Sequence, residues 1–260
     1  MTPIRPRDIV IPEDGAAMLA DAIKRVAQPS RRAFLQRTLT LGGLGLLTGC
    51  TPTSEESIER ALAAVSRFND RAQALLFDPT RLAPTYPDSM ITRPFPFNAY
   101  YGEDEVRVVD GDAWRLELSG LIADRRPWTL DALRALPQQS QVTRHICVEG
   151  WSAIGKWGGV PFSHFLRRVG ADLSAKYVGF KCADDYFTSI DMATALHPQT
   201  LMALTYDGQT LPPRYGYPMK LRMPTKLGYK NPKHIQAIFV TNTYPGGYWE
   251  DQGYNWFGGS

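Results

Sequence analysis

Residues that usually carry catalysis in clusters are scarce in this chain, which has 3 cysteines and 4 histidines among 260 residues. His145, His164, His197 and His234 stand far apart, and none forms a helix-spaced pair with a carboxylate, so a zinc-hydrolase site is poorly supported. Each histidine is expected at the surface or behind a site. There is no Gly-x-Ser-x-Gly and no Cys-x-x-Cys-His, which removes the common hydrolase and covalent-haem patterns. No apolar run approaches the ~20 residues needed to span a bilayer as a helix. A basic working surface is missing too. Seven basic and four acidic residues precede Cys50 and account for the whole net charge of +3, leaving 22 of each sign beyond it. Nucleic acid is therefore not expected as a partner. What remains, 43% hydrophobic and 21% charged, is enough apolar sequence for one globular domain with terminal extensions.

The extension at residues 1–50 reads as an export leader. Arg31-Arg32 precede the short, glycine-rich apolar run Leu39–Leu47, which looks like a twin-arginine signal for proteins exported already folded. The expected location is therefore periplasmic or otherwise extracytoplasmic. Leu47-Thr48-Gly49-Cys50 resembles a lipobox, making Cys50 the expected lipid attachment and a membrane surface the expected contact; ordinary cleavage nearby is the alternative. Met18 is an alternative start. Gly43-Leu44-Gly45 has no strand before it and no completed nucleotide-loop pattern.

Residues 51–94 read as a tether and N-terminal extension, with one helical pattern over Glu56–Leu76 whose broad apolar face includes Ile58, Leu62, Val65, Leu75 and Leu76. The domain is expected over 95–260. Val106–Val109 and Trp114–Leu118 flank Asp110-Gly111-Asp112 as a hairpin. Thr129 caps a short helix ending near Leu136, and Pro161 opens another to Val169. Strands are expected over Val142–Val148, Tyr177–Cys182, Phe187–Ile190, Leu201–Tyr206, Tyr217–Arg222 and His234–Asn242, with Asp191 capping one helical turn between them. Short strands mixed irregularly with few helices argue for an α+β fold.

Cys147 ends a predicted strand just before Glu149-Gly150-Trp151. Read from the residues alone, it is either half of a disulfide with Cys182 or a reduced thiolate suited to a soft metal. The surrounding motifs go further. Arg144-His145-Ile146-Cys147-Val148-Glu149-Gly150-Trp151-Ser152, Lys156-Trp157-Gly158-Gly159-Val160-Pro161, Lys176–Phe180, His197–Met202, Leu211–Pro218 and Lys226–Lys230 follow in order across roughly residues 95–245. Together they resemble the molybdopterin domain of the sulfite-oxidase family, particularly its bacterial periplasmic sulfoxide-reductase branch.

That resemblance implies a mixed, β-rich fold and a molybdenum–molybdopterin cofactor with Cys147 as the metal ligand. Arg144 and His145 flank the ligand, to tune it or face the substrate. Asn98, Tyr101 and Gly102 begin the pterin contacts, and Cys182 takes a pterin-contacting position that is Thr in that branch. Tyr215 and Lys220 stand where the branch has Asn and Arg. Asn231, Pro232 and Lys233 match the segment that closes over the pterin phosphate, where lysines and backbone N–H groups suit an anion. Taken singly, Lys226, Lys230 and Lys233 read as an exposed basic loop, and Trp151 and Trp157 as core packing.

The implied activity is oxygen-atom transfer with a small substrate, electrons being exchanged with a separate haem or quinone-linked membrane partner. Sulfite oxidation needs an anion pocket, for which Arg144, Arg214 and Arg222 are candidates. Sulfoxide reduction needs an apolar cleft, for which Trp151, Trp157 and Tyr186 serve. The chain stops soon after the last matching strand, without the sandwich domain of the larger sulfite oxidases, so a monomeric core is expected. Two other classes stay open: a thiol–disulfide oxidoreductase using Cys147 and Cys182, and a non-catalytic exported binding module.

Overall fold

Strand alternation decides which side chains meet the core, and here it does so in two sheets. The computed structural model describes residues 55–260; the twin-arginine segment, the apolar run and Cys50 lie outside the described residues. The first sheet joins β1 (Glu117–Gly120), β4 (Tyr177–Cys182), β5 (Phe187–Asp191) and β9 (Ile235–Thr241) in the order β1-β9-β4-β5, with β1 parallel to β9. The second joins β2 (Gln139–Ile146), β3 (Ser152–Pro161), β6 (Leu201–Tyr206) and β7 (Gln209–Thr210), and β8 (Lys220–Arg222) pairs with β6. Among the described residues, the α-helices besides α1 (Glu55–Leu76) are three short pieces: α2 (Leu130–Arg134), α3 (Phe162–Arg168) and α4 (Met192–Leu196). This is the α+β, β-rich arrangement that the sequence implies.

The caps are local and legible. Thr129 Oγ1 accepts from Ala132 N at 3.1 Å, and Asp191 Oδ1 accepts from Thr194 N at 2.7 Å, each satisfying a free amide at a helix start. The main core gathers Leu116, Phe162, Phe165, Leu166, Val178, Phe180, Leu221, Ile238 and Val240, all buried. A smaller cluster of Phe95, Trp157, Leu201, Leu211 and Tyr215 packs edge to face around Phe95.

Three features differ from the sequence reading. Strand β3, which carries Gly155, Gly158 and Gly159, is not among the strands expected from the sequence. The glycines are needed for close approach: a Cβ on Gly159 would stand 1.9 Å from the Met202 carbonyl oxygen, at a bulge between β3 and β6. The hairpin about Asp110 does not form. Asp110 Oδ1 does hold a turn through Asp112 N, but Trp114 then sinks into the core and donates to Ile235 O, Leu116 bridges Trp128, and Val108 stays exposed.

The expected tether is bound along the second sheet. Tyr86 N donates to Val142 O, Thr92 N to Ile154 O, and Gln199 exchanges two hydrogen bonds with the Ala83 backbone. Backbone groups satisfied in this way strap residues 77–94 to the domain.

Candidate active site

Period-two alternation along β2 sends Arg144 and Ile146 to one face of the second sheet and His145, with Cys147 just beyond it, to the other. Cys147 opens the β2–β3 connection. Its amide donates to Trp151 O at 2.9 Å, and Gly150, at φ +92°, turns the chain back beneath it. The buried thiol accepts from Asn98 Nδ2 at 3.2 Å and faces Glu149 Oε2 at 3.7 Å; the same carboxylate oxygen accepts from Trp151 Nε1 at 2.9 Å. Burial pushes the Cys147 thiol pKa up, and the Glu149 carboxylate adds to the rise, so the unliganded side chain is a neutral thiol.

Cys147 lines a cleft of about 110 Å³. One wall is aromatic, with Tyr100, Tyr186, Tyr229, Trp249 and Tyr254; the rest is polar, with Asn98, Glu149, Asp184, Asn231 and Lys233. Hydrogen bonds fix that wall. Tyr100 OH donates to the Asp184 carbonyl, Tyr101 OH to Asp184 Oδ2 at 2.8 Å, and Tyr186 OH to the Tyr229 carbonyl. Burial raises the Tyr101 and Tyr186 hydroxyls above the usual phenol range, so both stay protonated donors.

Behind the cleft lies a set of buried cationic groups. Lys220 is fully enclosed, its Nζ 5.3 Å from the Trp157 ring centroid. Lys233 Nζ stands 4.5 Å from the Phe97 ring centroid, and burial brings its pKa down to about 8 against the pull of Asp184. Arg222 donates to Asn231 Oδ1, Thr143 Oγ1 and the Arg144 carbonyl, bracing β8 against β2. Among the described residues, no carboxylate forms a salt bridge with Lys220, Arg222 or Lys233.

His145, 1% exposed, has no partner for either ring nitrogen among the described residues; burial and then Arg222, Lys220 and Lys233 hold its pKa well below the usual histidine value. Its ring comes so close to Gly228 that a Cβ there would be 2.7 Å from His145 Nε2. Buried positive charge and donors without acids are costly in an isolated protein and apt for an anionic ligand.

Six of the residues expected from the sequence line one cleft: Asn98, Cys147, Tyr186, Asn231, Pro232 and Lys233. Tyr101 borders it through Asp184. Cys182 is buried under the electrostatic influence of Asp184 and Lys233, and both cysteines are free, so the Cys147–Cys182 disulfide does not form.

Other expected positions fall elsewhere. Arg144 is turned away, its guanidinium 5.5 Å from the Tyr86 ring centroid in a groove on the opposite face. Tyr215 donates to the Phe95 carbonyl within the smaller core, where Trp157 also lies. Gly102 only starts an exposed turn, its amide held by Glu105. Arg214 pairs with Glu103. Of the histidines, expected at the surface or behind a site, His164 is exposed, His145 is buried behind the cleft, and His197 and His234 are buried. Lys226 and Lys230 are no exposed loop either: both are buried, the first beside Asp191 and the second against Glu250.

Sequence reasoning missed Asp184, Tyr100, Trp249 and Tyr254 as cleft residues. Only the backbone topology brings 98–100, 184–186 and 249–254 together.

Comparison with known proteins bears on this geometry. The family model described as oxidoreductase molybdopterin binding domain matches residues 103–249. The chain is 74% identical over 251 residues to a putative protein-methionine-sulfoxide reductase subunit, YedZ1, of Azospira oryzae, covering 95% of this chain and 96% of that one. It is 31% identical over 161 residues to the protein-methionine-sulfoxide reductase catalytic subunit MsrP of Burkholderia mallei, covering 56% of this chain and 49% of that one. In fold it is similar to the sulfane dehydrogenase SoxCD of Paracoccus pantotrophus, with a TM-score of 0.50 at 18% identity over 53% of this chain and 40% of that one.

Proposed function

The chain belongs to the oxidoreductase molybdopterin binding domain family, and from that premise we propose that it is an exported reductase of sulfoxides whose metal centre is ligated by Cys147. It is a molybdopterin-dependent oxidoreductase of the sulfite-oxidase type. The residues present fit such a group. Cys147 offers a soft sulfur ligand at the cleft, Lys233 lines the same cleft, and Lys220 and the unpartnered nitrogens of His145, buried without a carboxylate, would suit an anionic cofactor. When bound, the cofactor supplies a two-electron redox centre able to take up an oxygen atom.

The chain's own groups do the rest. Asn98 orients the Cys147 sulfur through its amide hydrogen bond. Arg222 and Asn231 fix the strand ends on which the cationic side chains stand. Reduction of a sulfoxide to a sulfide and water consumes two electrons and two protons. A separate membrane haem or quinone-linked partner supplies the electrons.

The observation that carries the choice of substrate is the charge of the cleft wall. None of the three arginines considered for an anion pocket lines the cleft: Arg144 faces away, Arg214 pairs with Glu103, and Arg222 is bound internally. Glu149 and Asp184 do line it, together with the aromatic wall and with Lys233, which belongs with the groups suited to the anionic cofactor. Carboxylates there repel sulfite, whereas a neutral sulfoxide meets rings and neutral donors. The relatives' names point the same way, to methionine sulfoxide in proteins.

Export rests on Arg31-Arg32 with the apolar run that follows, and membrane attachment on Cys50. The test is turnover by the purified protein with a soluble electron donor. Methionine sulfoxide is consumed and sulfite is not, and Cys147→Ser abolishes turnover while leaving the far-UV spectrum unchanged. Sulfite turnover equal to that of the sulfoxide, or an active Cys147→Ser variant, contradicts the proposal.

A further inference from the structure

Helix α1 packs with its polar side inward. Its contacts with the rest of the domain run through Ser66 O, which accepts from Asn255 Nδ2, Asp70 Oδ1, which accepts from Phe257 N at 2.6 Å, and Gln73 Oε1, which accepts from Gly259 N at 2.9 Å. The apolar side faces out. Leu62, Val65 and Phe68 follow at three-residue spacing, and Leu75 and Leu76 continue the stripe two turns on, with Phe68 70% and Leu75 86% exposed. A folded domain ordinarily turns such a stripe toward its core.

We propose that this face of α1 is a docking surface for an anionic lipid bilayer, lying along the membrane rather than across it. Three observations select lipid. First, the stripe is convex and belongs to a single helix, the form that inserts shallowly at the headgroup boundary. Second, Arg67 and Arg71 are exposed along one border of the stripe at four-residue spacing, a placement that suits arginine stems lying on apolar surface with guanidinium groups meeting lipid phosphate. Third, the helix begins only five residues after Cys50, so a lipid on that cysteine keeps α1 within reach of the same surface.

The stripe ends at a groove lined by Leu76, Leu82, Tyr86 and Ile146. Docking through α1 therefore turns toward the bilayer the face of the second sheet that carries Arg144 and Ile146, opposite the face of Cys147. The surface itself does not depend on the redox reading.

The test is hydrogen exchange of the full chain carrying Cys50→Ala, so that acylation plays no part, with vesicles of phosphatidylcholine alone or mixed with phosphatidylglycerol. Amides of residues 60–76 are expected to slow by about tenfold or more on the anionic vesicles, the scale set by withdrawing one large apolar side chain from water. High salt weakens the effect, and Leu62→Glu with Phe68→Glu abolishes it while turnover with a soluble donor is unchanged. Equal exchange with and without anionic vesicles overturns the proposal, even if the chain sediments with them through its leader. So does protection that appears without vesicles, rises with protein concentration and is lost in the double variant, which assigns the stripe to a second copy of the chain.

Discussion

Strand β8 contributes to two regions that treat charge in opposite ways. Leu221 points into the main core, where it meets other aliphatic and aromatic side chains and needs no polar partner. Its neighbours Lys220 and Arg222 are equally buried, yet they lie near His145 without a carboxylate. The core is stabilised by removing apolar area from water. The region behind the cleft spends part of that stabilisation on desolvated charge, since burial of an unpaired ion costs several kcal/mol. Such a region persists in a folded protein when a ligand of opposite charge repays it on binding. The contrast marks the cleft as the functional half of the molecule without reference to any relative.

Substitutions can break the contrast from either side. The largest stability loss is expected in the core: Phe180→Ala, at a fully buried ring against Phe162, should cost about 3–5 kcal/mol in denaturant unfolding of the cofactor-free protein. Lys220→Met should do the reverse. Burial holds the Lys220 amine well below the usual lysine pKa, and replacing this buried polar group, which has no carboxylate partner among the described residues, by an apolar chain of similar length is expected to stabilise the cofactor-free protein by about 1–2 kcal/mol, while lowering the cofactor retained after purification. A destabilised Lys220→Met protein would show that the charge is compensated within the chain.

A third effect follows from pH. Burial depresses Lys226 to about 7 and Lys233 to about 8, whereas the unfolded chain titrates near 10.5. Between the folded and unfolded values the unfolded state binds more protons, so stability rises with pH. The cost of both charges is fully present below about 7 and fades as the pH climbs toward 10.5. The cofactor-free protein should therefore gain on the order of 1 kcal/mol between neutral and mildly alkaline pH, read from denaturation midpoints. Bound cofactor should flatten this slope by holding Lys233 charged. The smallest effect belongs to Arg144→Ala. With its guanidinium over Tyr86 on the far face, the loss should stay below about 1 kcal/mol, with cofactor content unchanged.

The same two regions differ in how much of them the sequence revealed. Core strands such as Tyr177–Cys182 and Leu201–Tyr206, and the caps Thr129 and Asp191, follow from local alternation and local hydrogen bonding, and the structure has them at the expected places. In the cleft, Cys147, Asn98, Asn231, Pro232 and Lys233 were legible because their motifs occur in family order.

The rest depends on contacts that no local pattern encodes. A lysine reads as exposed in a sequence, and only tertiary packing buries Lys220, Lys226 and Lys230. Asp184 and Trp249 join Cys147 across long stretches of chain. Arg144 was misplaced by adjacency, since neighbours on a strand face opposite ways. Strand β3 was hidden by glycines whose role is close approach to β6.

The most direct test of the account is the molybdenum and pterin content of the purified protein, beside that of Cys147→Ser, from cells that make the cofactor. The account predicts near-stoichiometric molybdenum with pterin in the wild type, with turnover lost in the variant. A wild-type protein that is folded yet free of both molybdenum and pterin would contradict it.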